Sequence, residues 1–212
     1  MQIKTFVFNP FSENTSVISD DSGNAIIVDP GCYEDHEIKE LTDYVSSEEM
    51  KIVAILNTHC HIDHVLGNDA LKAYYKVELW VPVNEKEILK AIPSYAPNYG
   101  FAGYKEAEVD HWFEEGEMIF GEMTFDVIEV PGHSPGHMVF YHAASKSLIG
   151  GDVLFRESIG RTDLPGGNHE DLLRNIQEKV YTLPDDVTVY PGHGPVTIIG
   201  HEKRFNPFVT AE

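Results

Sequence analysis

Apolar and polar residues alternate from Ile3 to Phe8, a period-two pattern that predicts a strand with one covered face. Turn chemistry follows at Asn9-Pro10 and Ser12-Glu13-Asn14. Residues 15–19 and 25–29 predict two further strands, joined by the hairpin turn Asp20-Asp21-Ser22-Gly23-Asn24 and stopped by Pro30-Gly31. Across residues 33–45 the period changes, and Ile38, Leu41, Tyr44 and Val45 fall on one helical stripe. Residues 52–56 read as a buried strand. Residues 65–75 predict a helix with Val65, Leu66, Ala70, Leu71, Tyr74 and Tyr75 on its apolar face.

The second half alternates in the same way. Residues 77–81 predict a strand ending at Pro82, and Asn84 is positioned to cap a helix running through Ile88 and Leu89 to Ile92. Residues 93–103 read as a loop carrying Tyr95, Tyr99 and Phe101. Strands are predicted at 117–120, 124–130, 138–142, 147–150 and 187–190, and a helix at about 169–181. Runs of strands before and after mixed strands and helices are too antiparallel for a doubly wound sheet. Two mixed sheets flanked by helices fit the order. The pattern contains no linker or repeat, so it reads as one domain over residues 1–212.

What ends the strands is unusual. The run 51–56 leads directly into Asn57-Thr58-His59-Cys60-His61-Ile62-Asp63-His64. Later strands run into His133, Asp152 and His193, each beside glycine, which lets a backbone approach a buried group closely. Loops from several strand ends can converge on one edge of a rigid scaffold. Imidazole and carboxylate are the ligand set of zinc and similar divalent metals. His59 and His61, two apart in an extended loop, can address one ion together with His133. Asp63, His64 and His193 would serve a second ion, and Asp152 could bridge the two. His137 has spacing close to that of His133; the other histidines have no such context.

Composition narrows the partners. Asp and Glu total 35 against 15 Lys and Arg, a formal charge of −20. That balance disfavours nucleic acid and anionic membranes as partners. Two cysteines, Cys32 and Cys60, provide no disulfide framework, and Cys60 is expected to point away from its flanking ligands. No apolar run approaches bilayer length and no signal-peptide pattern opens the chain, so the expected location is the cytoplasm.

Thr58-His59-Cys60-His61-Ile62-Asp63-His64 resembles the Thr-His-x-His-x-Asp-His signature of the metallo-β-lactamase superfamily. Pro131-Gly132-His133-Ser134-Pro135-Gly136-His137, Gly150-Gly151-Asp152 and Tyr190-Pro191-Gly192-His193-Gly194 resemble its later motifs in the same order. The resemblance implies an α/β fold of the four-layer αββα sandwich type. It also implies that His133 rather than His137 is the ligand. Within the superfamily the chain resembles the glyoxalase II-like branch, through Gly151-Asp152-Val153-Leu154-Phe155, Gly160-Arg161-Thr162 and the ending Glu202-Lys203-Arg204-Phe205-Asn206-Pro207-Phe208. It is most similar there to the short, single-domain bacterial members.

That likeness implies hydrolysis of an acyl-thioester such as S-lactoylglutathione by a hydroxide bridging two divalent ions, zinc first, with iron or manganese as alternatives. Asp63 and Asp152 would be the catalytic carboxylates. Arg161 falls where the branch carries a basic substrate-binding residue. Full-length glyoxalase II proteins continue past the Asn-Pro-Phe motif into a helical domain that grips glutathione. The chain given ends at Glu212, so the expected thiol partner stays open, and residues 93–104 are an alternative source of substrate contacts. The competing reading is a mononuclear iron persulfide dioxygenase. A β-lactamase fits less well, because Asp152 stands at a bridging position that those enzymes fill differently.

Overall fold

The structure, a computed structural model describing residues 1–210, contains two six-stranded mixed sheets and a two-stranded ribbon. The chain divides into two compact units, one of Met1–Phe113 with Ile119–Met123, the other of Glu114–Met118 with Thr124–Glu212.

In the first unit the sheet order is β1 (Gln2–Phe8), β2 (Glu13–Ser19), β3 (Asn24–Val28), β4 (Lys51–Leu56), β5 (Glu78–Pro82) and β6 (His111–Phe113). The first three strands pair antiparallel through tight turns. From β3 onward pairing is parallel. Parallel neighbours need crossovers, supplied here by α1 (Asp35–Ser47), by α2 (Ile62–Val65) with α3 (Asn68–Tyr75), and by α4 (Lys86–Tyr95). The register pairs Val28 with Leu56 and Leu56 with Trp80. Strands β3 and β4 therefore end level and β5 runs two residues further, so the segments that follow them leave from one edge. That edge is where open α/β sheets place their ligands.

The second unit's sheet runs β14 (Thr197–Ile198), β13 (Thr188–Pro191), β10 (Ser147–Gly151), β9 (Met138–His142), β8 (Met123–Glu129) and β7 (Gly116–Phe120). Strands β10 and β13 are parallel, with Gly151 opposite Pro191, and Gly192 N–H donates to Gly151 O at 2.8 Å. Strand β9 starts opposite the end of β8, Glu129 facing Met138, and runs antiparallel to β10. The loop 130–137, Asp152 and His193 thus emerge on the same side. The ribbon of β11 (Leu154–Phe155) and β12 (Ser158–Ile159) follows Asp152. Helices α5 (His169–Asn175) and α6 (Ile199–Phe205) complete the unit.

Each unit has its own apolar core. One gathers Phe8, Ile27, Leu41, Ile55, Leu71 and Leu79 among others. The other gathers Val130, Val139, Leu148, Leu172, Val189 and Ile199 among others. Cys32 and Cys60 pack in the first as small apolar side chains, and burial pushes both thiols up.

Several elements differ from the sequence expectation. The helix anticipated over 65–75 is two helices, α2 beginning three residues earlier and α3 starting at Asn68. They part at Gly67, whose N–H donates to Pro30 O at 2.7 Å and where a Cβ would lie 2.6 Å from Cys32 Sγ. Asp63 and His64 consequently sit on a helical turn. Helix α4 continues through Pro93 to Tyr95, and a 3₁₀ turn at Ala96–Tyr99 follows. Proline in a last turn removes one backbone bond without ending the helix. Asn84 lies inside a 3₁₀ turn, Val83–Glu85, rather than at a cap. The short strand β6 and helix α6 escape a periodicity reading, being three and seven residues long. The helix predicted to Tyr181 ends as a π-helical stretch, Ile176–Val180.

Ile55 is fully buried on β4, directly before the ligand loop. Ile55→Ala should cost about 2–5 kcal/mol of unfolding free energy by urea titration; a loss below about 1 kcal/mol would contradict the packing described.

Candidate metal centre

In the first unit, four of the chemistry-bearing side chains come from one stretch, and their orientation is set by residues far away in sequence. Asp29, just past β3, adopts a left-handed conformation with φ of 50° and is buried. Its Oδ1 accepts from Thr58 N–H at 2.7 Å and its Oδ2 from Thr58 Oγ1 at 2.6 Å. The same Oδ2 is 3.2 Å from His64 Nδ1. A carboxylate oxygen can only accept here, so Nδ1 carries the His64 proton and Nε2 keeps its lone pair. Nε2 lies 3.7 Å from Asp63 Oδ2. Two donors bound to one ion at about 2.0–2.2 Å in tetrahedral geometry stand roughly 3.4 Å apart, so this spacing suits a shared cation.

The His59 Nδ1 contacts Thr58 Oγ1 at 3.0 Å, and its ring lies 4.8 Å from that of His61 and 4.2 Å from that of His64. His59 and His64 are fully buried, while His61 and Asp63 are half-buried. Asn57 Nδ2 donates to His64 O at 3.0 Å, and Asn68 Nδ2 donates to Asn57 Oδ1 at 2.8 Å, pinning the α2 turn to α3. Burial pushes the Tyr95 phenol up to about 12, with the nearby Asp63 charge a lesser cause.

Two buried glutamates were not visible as site residues in the sequence. Glu85 has no exposed surface, and its Oε2 accepts from Cys60 N–H at 2.8 Å, in the middle of the His59–His61 step. That bond holds the loop extended, the conformation that lets residues two apart face the same way. Glu13, also fully buried, accepts from Thr15 Oγ1 at 2.8 Å and places Oε1 3.8 Å from His64 Nδ1. Burial raises its carboxyl well above the usual range, and the neighbouring His64 opposes that rise. Asp29 has the role outer carboxylates play around metal-binding histidines, fixing the His64 tautomer, while Glu85 holds the backbone between His59 and His61.

The second unit has its own group of imidazole and carboxylate side chains. His133 Nδ1 is 2.7 Å from Arg161 O, a carbonyl that can only accept, so Nδ1 carries the proton and Nε2 keeps its lone pair for a metal. Asp152 Oδ2 lies 3.5 Å from His133 Nε2 and 3.6 Å from His193 Nε2. His137, fully buried, accepts from Asp152 N–H through Nε2 at 3.0 Å, which places it as a support for the Asp152 backbone. Gly160 permits this crowding: a Cβ there would fall 1.9 Å from Asp152 O and 3.0 Å from His133 Nδ1.

The Arg161 side chain is exposed and pairs bidentately with Asp163, Nε to Oδ1 at 2.7 Å and Nη2 to Oδ2 at 2.8 Å. The guanidinium holds the Asp163 carboxyl down at about 2. An anionic substrate would have to compete with that partner, whereas the Arg161 backbone already positions His133. Three of the other histidines have ordinary partners: His111 with Glu78, His201 with Glu157 and His142 with Ser145.

The donor chemistry within each unit suits divalent-cation ligation. The imidazoles His64 and His133 have Nδ1 engaged by acceptors, and carboxylate oxygens stand within 4 Å of their Nε2 atoms. Glu85→Ala should therefore lower metal affinity about ten- to a hundredfold in a chelator competition, while Glu85→Gln, which keeps an acceptor oxygen, should restore most of it. Equal affinity in wild type and Glu85→Ala would remove the positioning role.

The metallo-beta-lactamase superfamily profile matches residues 8–193. The hydroxyacylglutathione hydrolase GloC of Haemophilus influenzae is 37% identical over 216 residues, covering 100% of both chains. The probable metallo-hydrolase YqgX of Bacillus subtilis is 38% identical over 91% of this chain and 90% of its own. Among solved structures, the B3 metallo-beta-lactamase BLEG-1 superposes with a TM-score of 0.91 at 36% identity, covering 99% of this chain and 100% of that one. TTHA1623 in a di-iron-bound form superposes at 0.87 with 31% identity, covering 97% and 100%. The fold is that of these proteins, the donors suit a metal-dependent hydrolase, and the chain belongs to the metallo-β-lactamase superfamily.

Proposed function

We propose that the protein is a dinuclear metal-dependent hydrolase of acyl-thioesters. One ion would be held by His59, His61 and His133, the other by Asp63, His64 and His193, with Asp152 ligating both. The observation that carries this reading is the position of Asp152. A single oxygen, Oδ2, faces His133 on one side and His193 on the other at nearly equal distance. A carboxylate oxygen so placed suits a bridge between two cations. When bound, such a pair supplies an acidified water and polarises a carbonyl.

The protein's own residues would do the remainder. The Asp63 carboxylate, half-buried beside His64, would orient the attacking water and accept its proton. Asp29, Thr58 and the Arg161 carbonyl hold the imidazoles in one tautomer, so little reorganisation accompanies the reaction. No nucleophilic side chain is needed: both cysteines are buried and their thiols are held protonated.

The thioester class is supported by 37% identity to a protein called hydroxyacylglutathione hydrolase. Zinc is the first choice for the His-rich donor set, and the di-iron form of TTHA1623 keeps iron beside it. A second reading, β-lactam amide hydrolysis, is favoured by the likeness to BLEG-1, called a B3 metallo-beta-lactamase.

Metal-loaded protein should hydrolyse members of an acyl-thioester panel that includes S-lactoylglutathione. Asp152→Ala should lower kcat/KM by about a thousandfold or more, through lost transition-state stabilisation of about 4 kcal/mol. Turnover of nitrocefin with none of any thioester would replace the first reading by the second. Oxygen uptake with glutathione persulfide and one iron per chain would point instead to a dioxygenase. Chelation should abolish hydrolysis, and zinc, iron or manganese added singly should show which ion restores it.

A further inference from the structure

A cavity of about 300 Å³ opens in the first unit beside the ligand stretch, within the size range of small-molecule sites. Its walls are the rings of Tyr33, Tyr99 and Phe101 with Pro10, and its polar lining is Asn9, Glu34 and Glu37. Tyr33 and Phe101 meet edge to face at 4.9 Å. The Phe11 ring extends the aromatic surface, 5.9 Å from Tyr99 and 6.1 Å from Phe101. Tyr99 and Phe11 keep 55% and 40% of their surface exposed, so ring faces remain available at the mouth.

The charge of this lining has one sign. None of the residues that line the cavity is basic. The Glu37 carboxylate is fixed in place by three backbone donors, Asn9 N–H at 2.7 Å, Tyr33 N–H at 2.8 Å and Glu34 N–H at 3.0 Å. Glu34 is exposed at the rim. The first turn of α1 contributes about half a positive charge, but Glu34, Asp35 and Glu37 place three carboxylates against it. Rings with negative faces, framed by carboxylates, attract a compact organic cation and repel a dicarboxylate. The chain's charge of −20 adds long-range attraction of the same sign.

The cavity also communicates with the His59–His64 stretch through the Asn9 side chain. Asn9 lines it and donates from Nδ2 to Asp63 O at 3.0 Å and to Gly31 O at 3.0 Å. The Tyr95 ring stands 5.9 Å from that of Tyr99. A molecule seated among the rings would therefore stand one residue away from the Asp63 backbone.

We propose that this aromatic, carboxylate-framed cavity binds an organic ammonium group carried by the substrate, and so selects cationic thioesters over anionic ones. Its assignment to the substrate rests on the thioester reading; the binding of an organic cation does not.

Choline is the probe, with its neutral isostere 3,3-dimethyl-1-butanol as control. Titrated into the metal-loaded protein, choline should shift the backbone amides of Asn9, Gly100 and Phe101 saturably, and the isostere should bind about tenfold more weakly. Tyr99→Ala and Glu34→Gln, both at exposed positions, should each weaken choline about three- to tenfold. Acetylthiocholine should be hydrolysed, with KM rising in both variants while kcat holds, and S-lactoylglutathione should show no such rise. Absence of saturable shifts at the cavity, or equal binding of the isostere, overturns the ammonium site. An acetylthiocholine KM indifferent to both substitutions overturns its role in substrate selection. If no thioester is hydrolysed at all, the enzymatic reading has failed, and the choline titration alone decides the site.

Discussion

In the first unit the direction of the candidate donors depends on a carboxylate held in a left-handed turn. Asp29 ends β3, and its two oxygens tie down Thr58 and His64, residues on the far side of a parallel strand pair. The anchor is effective because β3 and β4 end in register. A residue leaving one strand end is then beside a residue leaving the next. Glu85, after β5, does the same for Cys60 from the other neighbour. The ligand loop is thus clamped by the two strands flanking its own, and the imidazoles inherit the rigidity of the sheet. Removing Asp29 would cost more than one hydrogen bond, since a buried amide and a buried imidazole would lose their partner together.

The second unit reaches the same end differently. There the candidate donors come from three separate loops, and main-chain groups take part in the supporting contacts of His133 and Asp152. Arg161 O orients His133, and Asp152 N–H is held by His137. Gly160 lets the chain pass close enough for both. Imidazole tautomer is therefore fixed by side-chain carboxylates in one unit and by main-chain contacts in the other. Substitution data should reflect that difference, because main-chain contacts survive most side-chain changes.

Much of this was legible in the sequence. Most strands of both sheets, β6 and β14 excepted, announced themselves through period-two alternation and β-branched runs, and the candidate donors stood out through their clustering at strand ends. Asp63 and His64 could be placed after a strand but not on a separate helical turn, because the break at Gly67 comes from a tertiary contact with Pro30. The supporting carboxylates were illegible for the same reason. Asp29 acts on Thr58 across 29 residues and on His64 across 35, and Glu85 acts on Cys60 across 25. No local pattern marks such partners; only the parallel pairing of β3, β4 and β5 brings them together. The aromatic loop over 93–103 was visible as composition. Its helical turns, and the cavity its rings form with Pro10 and Tyr33, depend on contacts with the first turn after β1.

In the proposed centre these donors hold two ions with Asp152 between them. Anomalous diffraction from crystals of the metal-loaded protein tests it most directly. The expected result is two peaks about 3.5–4 Å apart, one bound by His59, His61 and His133, the other by Asp63, His64 and His193, with Asp152 Oδ2 touching both. A single peak, or a pair in which Asp152 ligates only one ion, would contradict the account.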